Sequence, residues 1–313
     1  MCQQPHNSSI VFCVFPRRFS APSLLRLPSC GGGQGDWAFY RSLFNVPAWN
    51  SHEICWFCEA GTSAACSYKD FSEDAAWKTR RVDHHKFCSR LTSRGLAVCP
   101  LFSLPFVTTQ CILVDVLHTC DLGITQDVCG NALFEIAGEL GGSRADAVSA
   151  LWASLRLYYK EFKPPCQLSA LTVEMMVRPT KQPRLRAKGA EIRHLLPWVV
   201  LLCHEHSSGD HNEVRRCMVS ALFDFYQAMA ADTWDPTSAK ASGFRFLQLY
   251  KSLSDESGGE RWLLRPKSHL LAELLEFQRC GRGIRGISGH MLTRTGWARR
   301  PRSWPPGAGM LAS

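Results

Sequence analysis

The stretch Cys111–Glu135, CILVDVLHTCDLGITQDVCGNALFE, decides how the chain is read. It opens on Cys111 to Val114, an apolar, β-branched run with the composition of a buried strand. Asp115 stands directly at its end. The residues that follow change period, with Leu122, Val128, Leu133 and Ile136 at helical spacing. An acid at the C-terminal end of a buried strand leaves the core and faces a crevice, which is where α/β folds place their chemistry. Asp115 is therefore the candidate for chemistry, with His118 three residues behind it.

A chain of 313 residues with 45% hydrophobic content is long and apolar enough for one large or two ordinary cores. No apolar run approaches the roughly 18–20 residues that span a bilayer, so no membrane partner is expected. Fifteen cysteines form an odd count in a large chain without a signal peptide, which points to free thiols in a reducing, intracellular compartment. The net charge of +9 sits in the ends. Arg17, Arg18 and Arg26 are the charges of residues 1–35, and residues 279–313 carry seven arginines and no acid, which leaves the body near neutrality. The overall charge is therefore weak support for nucleic-acid binding, which uses a basic face on the folded body.

The run from Asp115 to Asn131 resembles the L-D-V-M-H-I-E-K-N-V-C-D-N-V-L-G-T-L-L motif of plant CACTA-type transposases and their protist relatives. Asp115, Val116, His118, Gly130 and Leu133 stand at matching positions. The aromatic segment before Cys55 and the Arg261–Gln278 segment, RWLLRPKSHLLAELLEFQ, are also similar to family segments in their order along the chain. The resemblance covers about Asp36 to Gln278. It implies an RNase H-like fold with a DDE site in which Asp115 is the second acid, a nuclear location and DNA as partner. In the family the first acid lies on a strand well upstream of the region matching Trp37 and the third follows the Leu270 helix. Neither is found in this sequence. The ancestral Mg²⁺ pair needs clamping by several carboxylates, which one aspartate does not supply. The resulting expectation is a catalytically incomplete, transposase-derived fragment. The alternative is a zinc-containing helical interaction or DNA-binding module without catalysis.

Cys55-Trp56-Phe57-Cys58 is a Cys-x-x-Cys knuckle, followed by Cys66, His84, His85 and Cys88. Two thiolates from one tight turn reach one tetrahedral ion, so Cys55 and Cys58 with His84 or His85 and Cys88 could hold a structural Zn²⁺. The competing account is a free cysteine pair packed among Trp56 and Phe57. Arg184, Arg186 and Lys188 alternate in a basic linker, either tracking phosphates or forming a solvated loop. His204, His206 and His211 read as an exposed polar loop. Asp121, Asp127 and Glu135 read as capping or surface acids.

The expected architecture is an α/β remnant of an RNase H-like fold with a large, mainly α-helical insertion and irregular ends. Residues 1–35 read as a disordered or mispredicted leader, with an organellar transit peptide as the other reading of an Arg- and Ser-rich, acid-free start. Residues 36–100 form the Cys/His segment, 101–140 the strand-helix remnant, 141–255 the helical insertion and 256–279 a terminal helix. Pro197 is expected to kink or break the helix around Glu191–Glu205. Residues 280–313 have neither period nor acid. They read as a disordered basic tail or as a frame-shifted one, since stepping back one base from Ile284 admits an aromatic and acidic string like that of the family.

Overall fold

The computed structural model of the chain describes residues 33–176, 182–230 and 235–277. Most of it is helical, as the periodicity requires. The strand at the centre of the reading is β2, Ile112–Val114, and Asp115 follows it directly. Cys111 falls in the 3-10 turn that leads into it. The partner of β2 is β1, Gly33–Gly35, which runs parallel with Gly33 beside Ile112 and Gly35 beside Val114. This corrects the assignment of residues up to 35 to an irregular leader. The pairing is made by backbone groups, so a glycine-rich segment can supply it without any side-chain pattern. The rest of the leader and the 280–313 tail lie outside the described residues.

Helix α1, Trp37–Phe44, starts on Asp36, whose carboxylate accepts the Phe39 N–H, and stops at left-handed Asn45, ahead of Pro47. It buries Tyr40 and Phe44, and the Tyr40 hydroxyl donates to Leu113 O at 2.7 Å, tying α1 to β2. Residues 51–82 form an irregular lobe of bridges and 3-10 turns, which leads into α2, His84–Ser93. After Asp115 the chain makes a π-helix, Leu117–Thr125, and then α3, Gln126–Glu139. The wide π turn carries Asp121 into the interior.

The helical body comprises α4 (Arg144–Phe162), the short α5 (Val173–Met176), α6 (Gly189–Glu205), α7 (Asp210–Ala230), α8 (Pro236–Glu256) and α9 (Pro266–Phe277). Pro197 does not break α6. The residues from Ile192 to Val200 are all buried, so packing on every side holds the helix through the missing hydrogen bond. Helix α9 begins at Pro266 rather than Arg261, because Trp262 takes a left-handed backbone (φ 51°) that ends helical geometry there. The extended strap 182–188 crosses α3, with Leu185 N–H donating to Gln126 O. Asp121 and Asp127 are 0% and 5% exposed, so neither is a surface acid. Asp121 pairs with Arg193, and Asp127 with Arg184 and Arg265. No helix among the described residues is long and apolar enough to cross a membrane.

Candidate metal centre and the Asp115 pocket

Cys55 and Cys58 are presented by a tight turn whose backbone points at both sulfurs. Phe57 N–H donates to Cys55 Sγ at 3.3 Å and Ala60 N–H to Cys58 Sγ at 3.4 Å. Such bonds stabilise thiolates. The turn is locked by Ile54 N–H to Ala60 O and by Val82 N–H to Phe57 O. Its partners come from α9. His269 Nε2 lies 3.2 Å from Cys58 Sγ, and Glu273 Oε1 lies 3.5 Å from both Cys55 Sγ and His269 Nε2. His269 and Glu273 are one turn apart on α9, which puts both on the face toward the knuckle. All four side chains are buried, and their donor atoms lie within 4.8 Å of one another.

This cluster could hold a metal ion, and its chemistry fits one. Two thiolates and a carboxylate around a divalent cation leave one negative charge, which the Arg81 guanidinium balances through bonds of 2.9 and 2.8 Å to the two oxygens of Glu273. Arg81 thus orients, from outside the cluster, the carboxylate that would bind the ion. Without a metal, burial pushes the Glu273 carboxyl up, but His269 and Arg81 hold it down to about 2. Burial likewise raises the Cys55 thiol, while Cys58 and His269 bring it down to about 7. The Trp77 ring meets His269 edge-on at 4.9 Å and fixes the imidazole plane.

The second half of the expected zinc set lies elsewhere. His84 opens α2, accepts the Thr109 N–H at 3.3 Å and packs its ring against Phe102 at 4.8 Å. Cys88, one turn on, is 3.8 Å from His84 Nε2, and His85 is exposed. None of the three joins Cys55 and Cys58, because the buried face of α2 is Phe87 and Leu91. Cys66 is buried outside the cluster too. His269 and Glu273 do carry a sequence signal. They are a His-x-x-x-Glu pair inside Leu270, Leu271, Leu274 and Leu275, polar groups placed on an apolar helix.

Asp115 faces a cavity of about 260 Å³, and Asp36 lines the same cavity. Each aspartate directly follows one of the two paired strands, at the register Gly35 beside Val114. Asp36 spends Oδ1 on the α1 cap at 2.7 Å. Asp115 accepts the Leu117 N–H at 3.0 Å through Oδ1, and its other oxygen meets His118 Nδ1. Lys267 also borders the cavity, donating to His118 O at 2.6 Å, and burial pulls its ammonium pKa down. Trp56, 1% exposed, lines it with an indole N–H that has no partner among the described residues.

Among the basic linker residues, Arg184 is drawn inward onto Gln126 Oε1 and Asp127, and Arg186 donates to Glu174 O. Lys188 is left exposed at the start of α6. Of the histidines read as an exposed polar loop, His206 and His211 are half-buried and bound to Glu139, and to Glu135 and Glu256.

No protein-family model matches this chain, and no curated protein matches it.

Proposed function

We propose that the chain is a DDE-transposase-derived protein that associates with DNA but no longer cuts it. The observation that carries this reading is the placement of Asp36 and Asp115 at the ends of two paired parallel strands, on one cavity. Carboxylates so placed converge on a crevice at the strand ends, the arrangement a strand-transfer site of the RNase H-like type needs. Asp36 is thus the acid that would stand beside Asp115, although the sequence offered nothing to mark it. Three features argue against retained cutting. Each aspartate has an oxygen engaged in a local bond, no third acid among the described residues lines the cavity, and the Lys267 charge repels a divalent cation there. The test is incubation of the full chain with supercoiled DNA and Mg²⁺ or Mn²⁺. Binding that weakens steeply with salt, without nicking, is expected. Nicking that disappears in Asp115→Asn would overturn the incomplete-site reading, and absence of binding at low salt would overturn the DNA association.

The Cys55, Cys58, His269 and Glu273 cluster supports a second element of the proposal, a structural zinc. Thiolate and imidazole donors select Zn²⁺ over Mg²⁺, and four protein ligands close the tetrahedron with no open position for chemistry. Elemental analysis should give one zinc per chain, lost in Cys58→Ser and in His269→Ala and kept in His84→Ala. Equal zinc in all of them would remove this assignment.

A further inference from the structure

A groove of about 410 Å³ lies between α3, the start of α4 and the start of α7. Its outer wall is unusual in charge. Arg144 and Arg261 both lay their guanidinium groups on the ring of Phe134, at 3.9 and 4.6 Å from its centroid. Both arginines are exposed, and among the described residues neither has a carboxylate within 4 Å or a side-chain hydrogen bond. Two like charges on one ring repel each other, and the cation–π contacts offset that repulsion and hold both groups in place. Arg144 is also the first residue of α4, where the helix dipole disfavours a cation.

The inner wall adds a third guanidinium. Arg215 lines the groove and is 0% exposed. The acids that border the groove do not neutralise the outer pair. Glu135 is shared by Arg215, His211 and the Trp262 indole, and Glu139 by Arg215 and His206. The ring contact holds each outer guanidinium over Phe134, and its N–H groups can fork onto oxygen.

We propose that Arg144, Arg261 and Phe134 form a clamp for a phosphate group, presented by a free phosphate ester or by a nucleic-acid backbone. Guanidinium forks match phosphate oxygens in pairs, and an open groove admits a ligand larger than one anion. The clamp stands apart from the DNA association proposed above, since it can bind free phosphate even if that association fails.

The experiment uses the full chain with two probes, inorganic pyrophosphate and a short DNA duplex, titrated at fixed ionic strength. Wild type should bind at least one, and Arg144→Ala with Arg261→Ala should bind that probe about tenfold more weakly or worse. Phe134→Leu keeps both charges but removes the ring contact, and should weaken binding to a lesser degree. Arg156→Ala, an exposed arginine farther along α4, is the charge control and should bind as wild type does. Pyrophosphate binding assigns free phosphate esters as sufficient ligands, and duplex binding alone assigns the backbone. Failure of both probes, or equal loss in the Arg156 control, overturns the clamp. The replaced arginines are exposed, so unchanged circular dichroism is the check on folding.

Discussion

Cys58 Sγ and His269 Nε2 lie 3.2 Å apart although 211 residues separate them in sequence. The contact is the point where the irregular 51–82 lobe meets the last described helix. A metal bound there closes a very long loop, and the binding free energy adds directly to folding. Stripping the metal with a chelator should lower the melting temperature by roughly 5 °C, the shift that about 3 kcal/mol produces in a chain of this size. Readdition of Zn²⁺ should restore it, whereas Mg²⁺ should not. A chelator-insensitive melting temperature would leave the four side chains as a metal-free polar cluster around Arg81.

Gly130 marks a close approach that its place in the resembling motif does not by itself explain. A Cβ there would stand 2.4 Å from Arg184 Cα and 2.5 Å from Leu185 N, both backbone atoms of the strap over α3. The strap cannot yield locally. Leu185 is 0% exposed, its N–H bonds Gln126 O, and Arg184 N–H bonds Met176 O at 2.8 Å. Gly130→Ala should therefore destabilise the chain by about 2–3 kcal/mol, the range of overpacked cores, despite the better helix propensity of alanine. Chemical denaturation measures this directly, and a neutral or stabilising result would mean the strap is not held there.

What could be read from sequence follows the physics of each element. The β2 strand and its terminal Asp115 were legible because a short β-branched run ending in an acid has few other homes. The helical character of 141–255 was legible from composition and period, and α4, α6, α7 and α8 fall within it or at its end. The β1 strand was not legible, since Gly33–Gly35 has no side-chain alternation and its pairing is purely backbone. The knuckle half of the metal cluster stood out through local spacing. Its other half depends on which helix packs against the knuckle, and spacing along the chain is silent about that. Arg184 shows the same limit, because alternation with Arg186 and Lys188 suggested a basic stripe while Asp127 and Gln126 draw it inward.

Asp121 should be the most sensitive acid in the body. It is 0% exposed, and burial pushes its carboxyl pKa up against the pull of Arg193 and the Tyr226 hydroxyl. Tyr226 donates to Asp121 Oδ1 at 2.6 Å and shares a 2.8 Å bond with Thr125. Asp121→Ala removes the carboxylate that faces the buried Arg193 guanidinium and should cost about 3–5 kcal/mol. Tyr226→Phe removes one hydrogen bond to a charged group and should cost about 1.5–3 kcal/mol. Equal losses for the two variants would contradict the ion pair as the principal interaction.

His211 links three helices and makes their packing depend on pH. Its Nδ1 meets Glu256 of α8 at 2.9 Å and its Nε2 meets Glu135 of α3 at 3.1 Å. Burial pushes the imidazole pKa down, but the bonds to Glu256 and Glu135 outweigh it and raise the value above 6.5. Arg215 also faces Glu135 and shares its charge, which tempers the rise. A group with a raised folded pKa binds its proton more tightly in the native state than in the unfolded one. Its stabilisation is therefore fully present below the unfolded value of 6.5 and is lost as pH rises through the raised folded value. Denaturant midpoints measured across that interval should fall with rising pH in the wild-type chain. His211→Gln keeps a polar side chain without the titration, so its midpoints should fall less over the same range. Parallel slopes for the two proteins would show that the pH dependence arises elsewhere.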